Sequence, residues 1–228
     1  MVLKLYGSAI ATCTQRVLAV ANQLGVSVEL VIVNLAAQEN KAPEYMKKQP
    51  FGQVPYLDDD GFILFESRAI SRYLSTVHAS GNLIPKEAKE NAIFEQAVSI
   101  EQSNFDPFTT VLARERFYYP LFRGANYKPD EVAAQEAQAK LEAKLDAYEV
   151  ILSKHAYLGG DKLTLADLFH LPYGAMASSP RTPGAPYLNL EDPKRPNVAR
   201  WWKEIVSLPA WKAVSAQAQT ELAALKKA

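Results

Sequence analysis

The sequence predicts a small α/β module followed by an all-helical domain. Three observations carry that expectation. The first 78 residues alternate short apolar runs with one amphipathic stretch, a Gly- and Pro-bearing segment follows, and no strand pattern recurs after it. The expected boundaries are 1–78 for the α/β domain, 79–89 for the linker and 90–228 for the helical domain.

Residues 2–6 form a short apolar strand that runs into a turn at Gly7. From Thr12 to Leu24 the apolar positions Val17, Leu18, Val20, Ala21 and Leu24 fit a helix with one buried face, and Gly25 ends it. Val28 to Val33 reads as a second buried strand, so the opening is a strand–helix–strand unit with parallel strands. A short helix is expected from Pro43 to Lys48. Val54–Leu57 and Phe62–Phe65, separated by Asp58-Asp59-Asp60-Gly61, form a hairpin. Glu66-Ser67 opens another helix, with Ile70, Tyr73, Leu74 and Val77 on its inner side.

After the linker, residues 90–119 and 130–154 read as two long helices, and a third begins at Thr164. A loop over 178–197 carries Pro180, Pro183, Pro186, Pro193 and Pro196. The final helices run through Trp201 and Trp202 and onward from Pro209.

Composition narrows the function classes. The 25 basic and 25 acidic side chains cancel, leaving no long-range field to gather nucleic acid or an anionic membrane. One cysteine excludes an intrachain disulfide and any multi-cysteine zinc site, and the scattered His78, His155 and His170 make no helical metal pair. No metal is expected. The opening residues lack the basic start and long apolar run of a secretory signal, and no apolar stretch reaches the roughly 20 residues that span a bilayer. The expected location is cytoplasmic.

Two places carry the chemistry. Pro55 stands where a strand should start and cannot donate to a ladder, so it belongs at a strand edge or start. A cis bond before it would turn the main chain of Val54 outward, where its N–H and C=O can pair with a bound peptide. The competing explanation is an ordinary X-Pro strand start. At Glu66-Ser67 the helix start offers main-chain N–H groups and a hydroxyl to a carboxylate, while Glu66 can pair with an ammonium. The alternative there is a plain helix start, with Ser67 as cap and Glu66 complementing the dipole.

Taken together, Gln49-Pro-Phe-Gly-Gln-Val-Pro55, Leu64-Phe-Glu-Ser-Arg-Ala-Ile70, Phe105-Asp-Pro107 and Tyr157 to Leu168 resemble the glutathione transferases, most closely the phi class. The resemblance covers nearly the whole chain. It implies a thioredoxin-like N-terminal domain, an all-α C-terminal domain, and glutathione as co-substrate in the cleft between them. It places the glutathione site on Gln53, Val54, Pro55, Glu66 and Ser67, with Lys41 receiving the glycyl carboxylate. Asn40 stands where phi-class chains often have histidine. A hydrophobic acceptor would lie against Ile10, Phe117, Tyr118 and Phe122, whose alternative role is plain helix packing. The resemblance also implies a homodimer with Phe51 as subunit anchor. Thr164-Leu-Ala-Asp167 matches a family signature but reads as a structural capping box, with Leu163 and Leu168 as the flanking staple.

The family chemistry is thiolate activation. Lowering a thiol from about 8.5 by two pH units takes roughly 2.7 kcal/mol. A hydroxyl on the charge supplies about 1.5–3 and a helix N-terminus about 0.3–1. The position matching the phi-class serine is Ala11. Thr12 is the first replacement, and Ser8 in the preceding turn is an alternative. Cys13 is a third candidate, through a mixed disulfide, although it points about 200° from position 11 on a helix. Tyr6 is a fourth, at a strand end. Two functions follow from the resemblance. One is a transferase that directs the thiolate at a hydrophobic electrophile or hydroperoxide. The other is a ligandin or regulatory protein that binds glutathione without activating it.

Overall fold

The computed structural model describes residues 2–124, 126–178 and 188–225. Of the proline-rich loop expected at 178–197, Pro180, Pro183 and Pro186 lie outside the described residues. The chain divides into two compact units, 1–84 with 208–228, and 85–207.

The first unit is built on a four-stranded sheet in the order β2-β1-β3-β4. β1 (Leu3–Gly7) pairs parallel with β2 (Val28–Ile32) and antiparallel with β3 (Tyr56–Asp59), which pairs antiparallel with β4 (Phe62–Phe65). Helix α1 (Thr12–Leu24) supplies the crossover between β1 and β2. It stops at Gly25, whose φ of 70° is open to a residue without Cβ. Val17 and Val20 of α1, Leu5 and Leu57 of the sheet, and Ile70 and Leu74 are all buried.

Two strands differ from the sequence expectation. β2 is an edge strand with Ile32 exposed, because an apolar run cannot reveal whether both of its faces will be covered. β3 starts at Tyr56 rather than Val54, because the ladder begins only after Pro55, which has no N–H to give.

Between β2 and β3 lie a single 3₁₀ turn (Glu39–Lys41) and the short α2 (Pro43–Met46). Helix α3 (Ser67–Tyr73) widens into a π turn over Leu74–His78. The unit is completed by α10 (Pro209–Leu225), which packs on α1 and buries Trp211 and Val214. The absence of strand pattern after the linker groups this segment with the helical domain 90–228, whereas its contacts place it in the first unit. Its apolar face decides its place.

The second unit is helical throughout its described elements. The helix expected over 90–119 is broken into α4 (Ala88–Asn104), α5 (Asp106–Ala113), a π turn at Arg114–Tyr118 and α6 (Tyr119–Arg123). The break falls at Phe105, whose ψ of −60° accompanies a φ of −124°, two residues before Pro107 in the first turn of α5. Pro107 has no N–H for the helical ladder, which weakens the continuation from α4 into α5. α7 (Glu131–Leu152), α8 (Leu165–Ser178) and α9 (Pro196–Ser207) follow. Phe94, Phe105, Leu141, Leu145, Tyr148, Phe169 and Trp201 fill this core.

At α8 half of the expected capping box forms: Asp167 reaches back to the Thr164 N–H, while the Thr164 hydroxyl donates to Asp167 rather than accepting its N–H. Asp167 Oδ2 accepts from both the N–H and the hydroxyl of Thr164, each at 2.9 Å. Asp167 Oδ1 accepts from Leu158 N–H at 3.0 Å and Trp201 Nε1–H at 2.9 Å. Burial nonetheless pushes its carboxyl up from the usual aspartate range. Asp167 thus ties the start of α8 to α9 and to the loop before it.

Candidate functional site

Strand register brings three sequence-predicted pieces to one end of the sheet. Tyr6 pairs with Tyr56, and Tyr56 pairs with Phe65. The next residues out of these ladders are Gly7, Pro55 and Glu66. The turn into α1, the Val54–Pro55 bond and the start of α3 therefore leave the sheet side by side.

Gly7 makes the close approach possible. A Cβ there would lie 2.6 Å from Thr14 Oγ1 and 3.3 Å from Pro55 Cβ, so a side chain would push α1 off the proline turn. Above this point Tyr6 stacks on Tyr56 with centroids 4.5 Å apart, which spends its ring on packing. Burial, followed by Tyr6 and Asp58, pushes the Tyr56 hydroxyl up to about 12.

The Val54–Pro55 peptide bond is cis. Among the described residues, no hydrogen bond engages the Val54 N–H or C=O. The main chain on either side is well held. Gln53 N–H donates to Gln49 Oε1 at 3.2 Å, and Gln53 C=O accepts from Tyr45 O–H at 2.8 Å. Asn40 Nδ2 donates to Gly52 C=O at 2.7 Å, while Lys41 Nζ donates to Phe51 C=O at 3.2 Å. Asn40, Lys41 and Gln53 thus surround one loop, and Lys41 lies directly over Gly52.

At the start of α3, Glu66 adopts φ 72° and ψ 108°, a conformation that side-chain-bearing residues rarely hold. Its carboxylate is exposed and makes no cap. Ser67 is not a cap either. Its Oγ accepts from Arg16 Nη1 at 2.9 Å, from a guanidinium with no solvent exposure. Arginine can only donate, so the Ser67 O–H remains available to an acceptor. Of the plain-helix-start alternative, the Ser67 cap is not formed, while Glu66 at the N-cap still stands where its charge complements the dipole.

Arg16 was not among the residues singled out from sequence. Its signal was present: positions 12, 16 and 20 lie four apart on the buried stripe of α1, so a charge at 16 had to find an internal partner. Tyr45 and Gln49, which hold the Gln53 main chain, carried no comparable signal.

The turn before α1 holds the candidates for the missing hydroxyl. Ala11 is the N-cap and offers no side-chain bond, and its N–H donates to Ser8 C=O at 3.0 Å. Thr12, the first helical residue, and Ile10 are both buried. Ser8 is 2 % exposed, and its hydroxyl donates to Glu221 of α10, so that donor is already engaged. Cys13 is half-buried, with Arg16 Nη1 at 3.7 Å from its sulfur.

The aromatic residues of the expected acceptor site belong to the second unit. Phe117 is buried and sets its edge against Tyr118, with centroids 5.2 Å apart. Tyr118 stacks on Phe122 at 6.5 Å, and Phe122 is 41 % exposed. Packing accounts for Phe117. It does not account for Phe122.

Among the described residues, no group of three or more His, Cys, Asp or Glu is placed to hold a metal, and no helix is long and apolar enough to cross a membrane.

Comparison with known proteins places these features in context. Residues 1–76 match the family described as glutathione S-transferase, N-terminal domain, and residues 87–209 match glutathione S-transferase, C-terminal domain. The chain is 45% identical over 204 residues to glutathione S-transferase PM239X14 of Arabidopsis thaliana, covering 87% of this chain and 89% of that one. The crystal structure of glutathione transferase F7 from Populus trichocarpa superimposes with a TM-score of 0.84 at 37% identity, over 95% of this chain and 99% of that one. Glutathione S-transferase I from maize, in complex with an atrazine glutathione conjugate, superimposes with a TM-score of 0.86 at 30% identity, over 96% and 99% of the two chains. With both domain families matched and with relatives named as F-class enzymes, the chain belongs to the glutathione S-transferase family and falls with its phi class.

Proposed function

We propose that this chain binds glutathione along the Val54–Pro55 turn and presents the thiol at the start of α1 to a hydrophobic electrophile or hydroperoxide. The observation that carries the reading is the strand register that places Gly7, Pro55 and Glu66 at one end of the sheet. Main-chain groups of Val54 pair with the cysteinyl unit as with an added strand. Glu66 and Ser67 hold the γ-glutamyl ammonium and carboxylate, and Lys41, with Asn40 beside it, meets the glycyl carboxylate. An aryl halide is the acceptor class of choice, since the related maize enzyme holds an atrazine conjugate. Phe117, Tyr118 and Phe122 are the proposed contacts for such a flat, apolar partner.

Thr12 is the proposed thiolate donor, because Ala11 carries no hydroxyl and the Ser8 hydroxyl is spent on Glu221. Thr12→Ala should lower turnover more than glutathione affinity. Equal turnover in the two proteins would remove Thr12 from the mechanism.

A second reading, a glutathione-binding carrier with little activity, is favoured by Ala11 itself. A spectral titration of bound glutathione separates the two: a thiolate band that persists at pH 7 supports the enzyme, and its absence the carrier. We further propose a cytoplasmic homodimer anchored through Phe51, which is 64 % exposed. A monomer mass by sedimentation at micromolar concentration would end the dimer proposal.

A further inference from the structure

The helical stretch that carries Tyr118 and Phe122 presents two ribs. In the first, those two rings stack with 11° between their planes. In the second, one residue further on at each step, the Arg123 guanidinium lies 3.8 Å from the centre of the Tyr119 ring, and Arg114 lies 5.8 Å from the same ring. Successive helical residues stand about 100° apart, so the cationic rib borders the aromatic one.

The cationic rib is braced by the loop that follows α6. Tyr127 sets its ring edge against Tyr119 with centroids 5.4 Å apart, and its centre lies 5.3 Å from the Arg123 guanidinium. Its hydroxyl donates to the buried Glu115, whose carboxylate also accepts the Asp130 N–H at 3.0 Å. Glu115 is thereby satisfied, and Arg116 is paired with Glu131. Arg114 and Arg123 are exposed, and among the described residues neither forms an ion pair. A guanidinium stacked on a ring keeps the N–H groups at its edge, in a planar fork that matches a carboxylate. The rings hold the Arg123 side chain, and its fork stays open.

We propose that Arg114 and Arg123 select acceptors that join a flat aromatic body to an anionic substituent, a carboxylate above all. The aromatic body lies on Tyr118 and Phe122, and the anion meets the guanidinium edges. The proposal rests on Tyr118 and Phe122 contacting the acceptor, as proposed above, and adds the charge that the acceptor carries. In conjugation of such an aryl chloride the glutathione thiolate forms a C–S bond at the ring carbon, and chloride leaves with its electron pair. The thiol proton passes to solvent, and the carboxylate is not consumed.

The test compares the full-length parent with Arg114→Gln, Arg123→Gln and the double variant. Glutamine keeps a donor and removes the charge. Naphthoate and naphthamide, flat molecules that differ in charge and have no leaving group, are titrated by calorimetry. Initial rates with a chloronitrobenzoate and its amide give a ratio of kcat/KM values in which any general loss of activity cancels. The parent should bind naphthoate more tightly than naphthamide. Either single substitution should lower the anion preference about fivefold in both measurements, and the double variant more, with the neutral member within about twofold of the parent. Added salt should shrink the parent's preference. An unchanged preference in the double variant would overturn the role of the arginines. Equal loss of both members of each pair would overturn it too, because that marks packing rather than charge. A naphthoate preference that depends on the arginines, beside an unchanged kcat/KM ratio, would overturn the acceptor role. The same preference in a protein that conjugates neither chloride would overturn the transferase reading and leave the anion site standing.

Discussion

The guanidinium of Arg16 lies fully buried behind Ser67 and donates to its hydroxyl at 2.9 Å, joining the first helix to the start of the third. Because arginine is donor-only, this contact fixes the Ser67 oxygen and leaves its proton directed elsewhere. A pair arranged in this way matters to an anionic ligand group more than either residue would alone. Ser67→Ala should weaken glutathione binding by about 10- to 150-fold, the range for a hydrogen bond to a charged group. Arg16→Met should weaken it by a comparable factor, and the double variant by little more. Calorimetry on the four proteins checks the cycle, and full additivity would separate the two residues.

Ala11 invites the reverse experiment. An alanine N-cap gives α1 no side-chain acceptor for its first N–H groups, so Ala11→Ser should stabilise the protein by about 0.5–2 kcal/mol. The same hydroxyl should raise conjugation of an aryl halide at pH 7, by tenfold or more if the thiolate was previously unsupported. Thermal denaturation and initial rates read the two effects separately. A stabilised variant with unchanged rates would argue that thiolate stabilisation is not limiting.

Asp167 should behave as a folding residue. Its carboxylate serves four donors inside the second unit, two from Thr164 and one each from Leu158 and Trp201. Removing it strands those donors in a buried setting, at about 1–3 kcal/mol for each one left unsatisfied. Asp167→Ala is expected to lower the unfolding free energy by more than the ~1 kcal/mol of a simple cap. Denaturant titration checks this, and glutathione affinity of the folded fraction should stay unchanged.

Acid should act on the first unit through Asp59. Its Oδ2 accepts from Tyr73 O–H at 2.7 Å and meets His78 Nε2 at 2.9 Å. Chiefly through the Tyr73 hydrogen bond, and also through His78, its carboxyl is held below the ordinary 3.8. A carboxyl lowered by folding contributes stability above its unfolded value and loses it as pH falls through the folded one. The parent should therefore lose stability on acidification below about pH 4, and Asp59→Asn should lose less over that interval. Melting temperatures at a series of pH values down to about 3 measure the difference, and parallel curves would count against Asp59.

Much of this molecule could be read from local sequence. The period of α1, its Gly25 stop, the hairpin and the Thr164 helix start depend on neighbours within one or two turns, where hydrophobic spacing and capping residues act directly. The same local logic failed at Phe105, because the apolar pattern runs on through Pro107 and conceals the break that the missing N–H favours.

The sequence by itself determined the order of elements and the family, and it supplied the residues proposed to contact glutathione, since these rest on periodicity and on motifs in order. Only the tertiary structure decided which groups support those residues. Arg16 meets Ser67 across 51 positions, and Glu221 meets Ser8 across 213. Buried polar groups must find partners wherever the packed chain brings them, and separation in sequence places no limit on that.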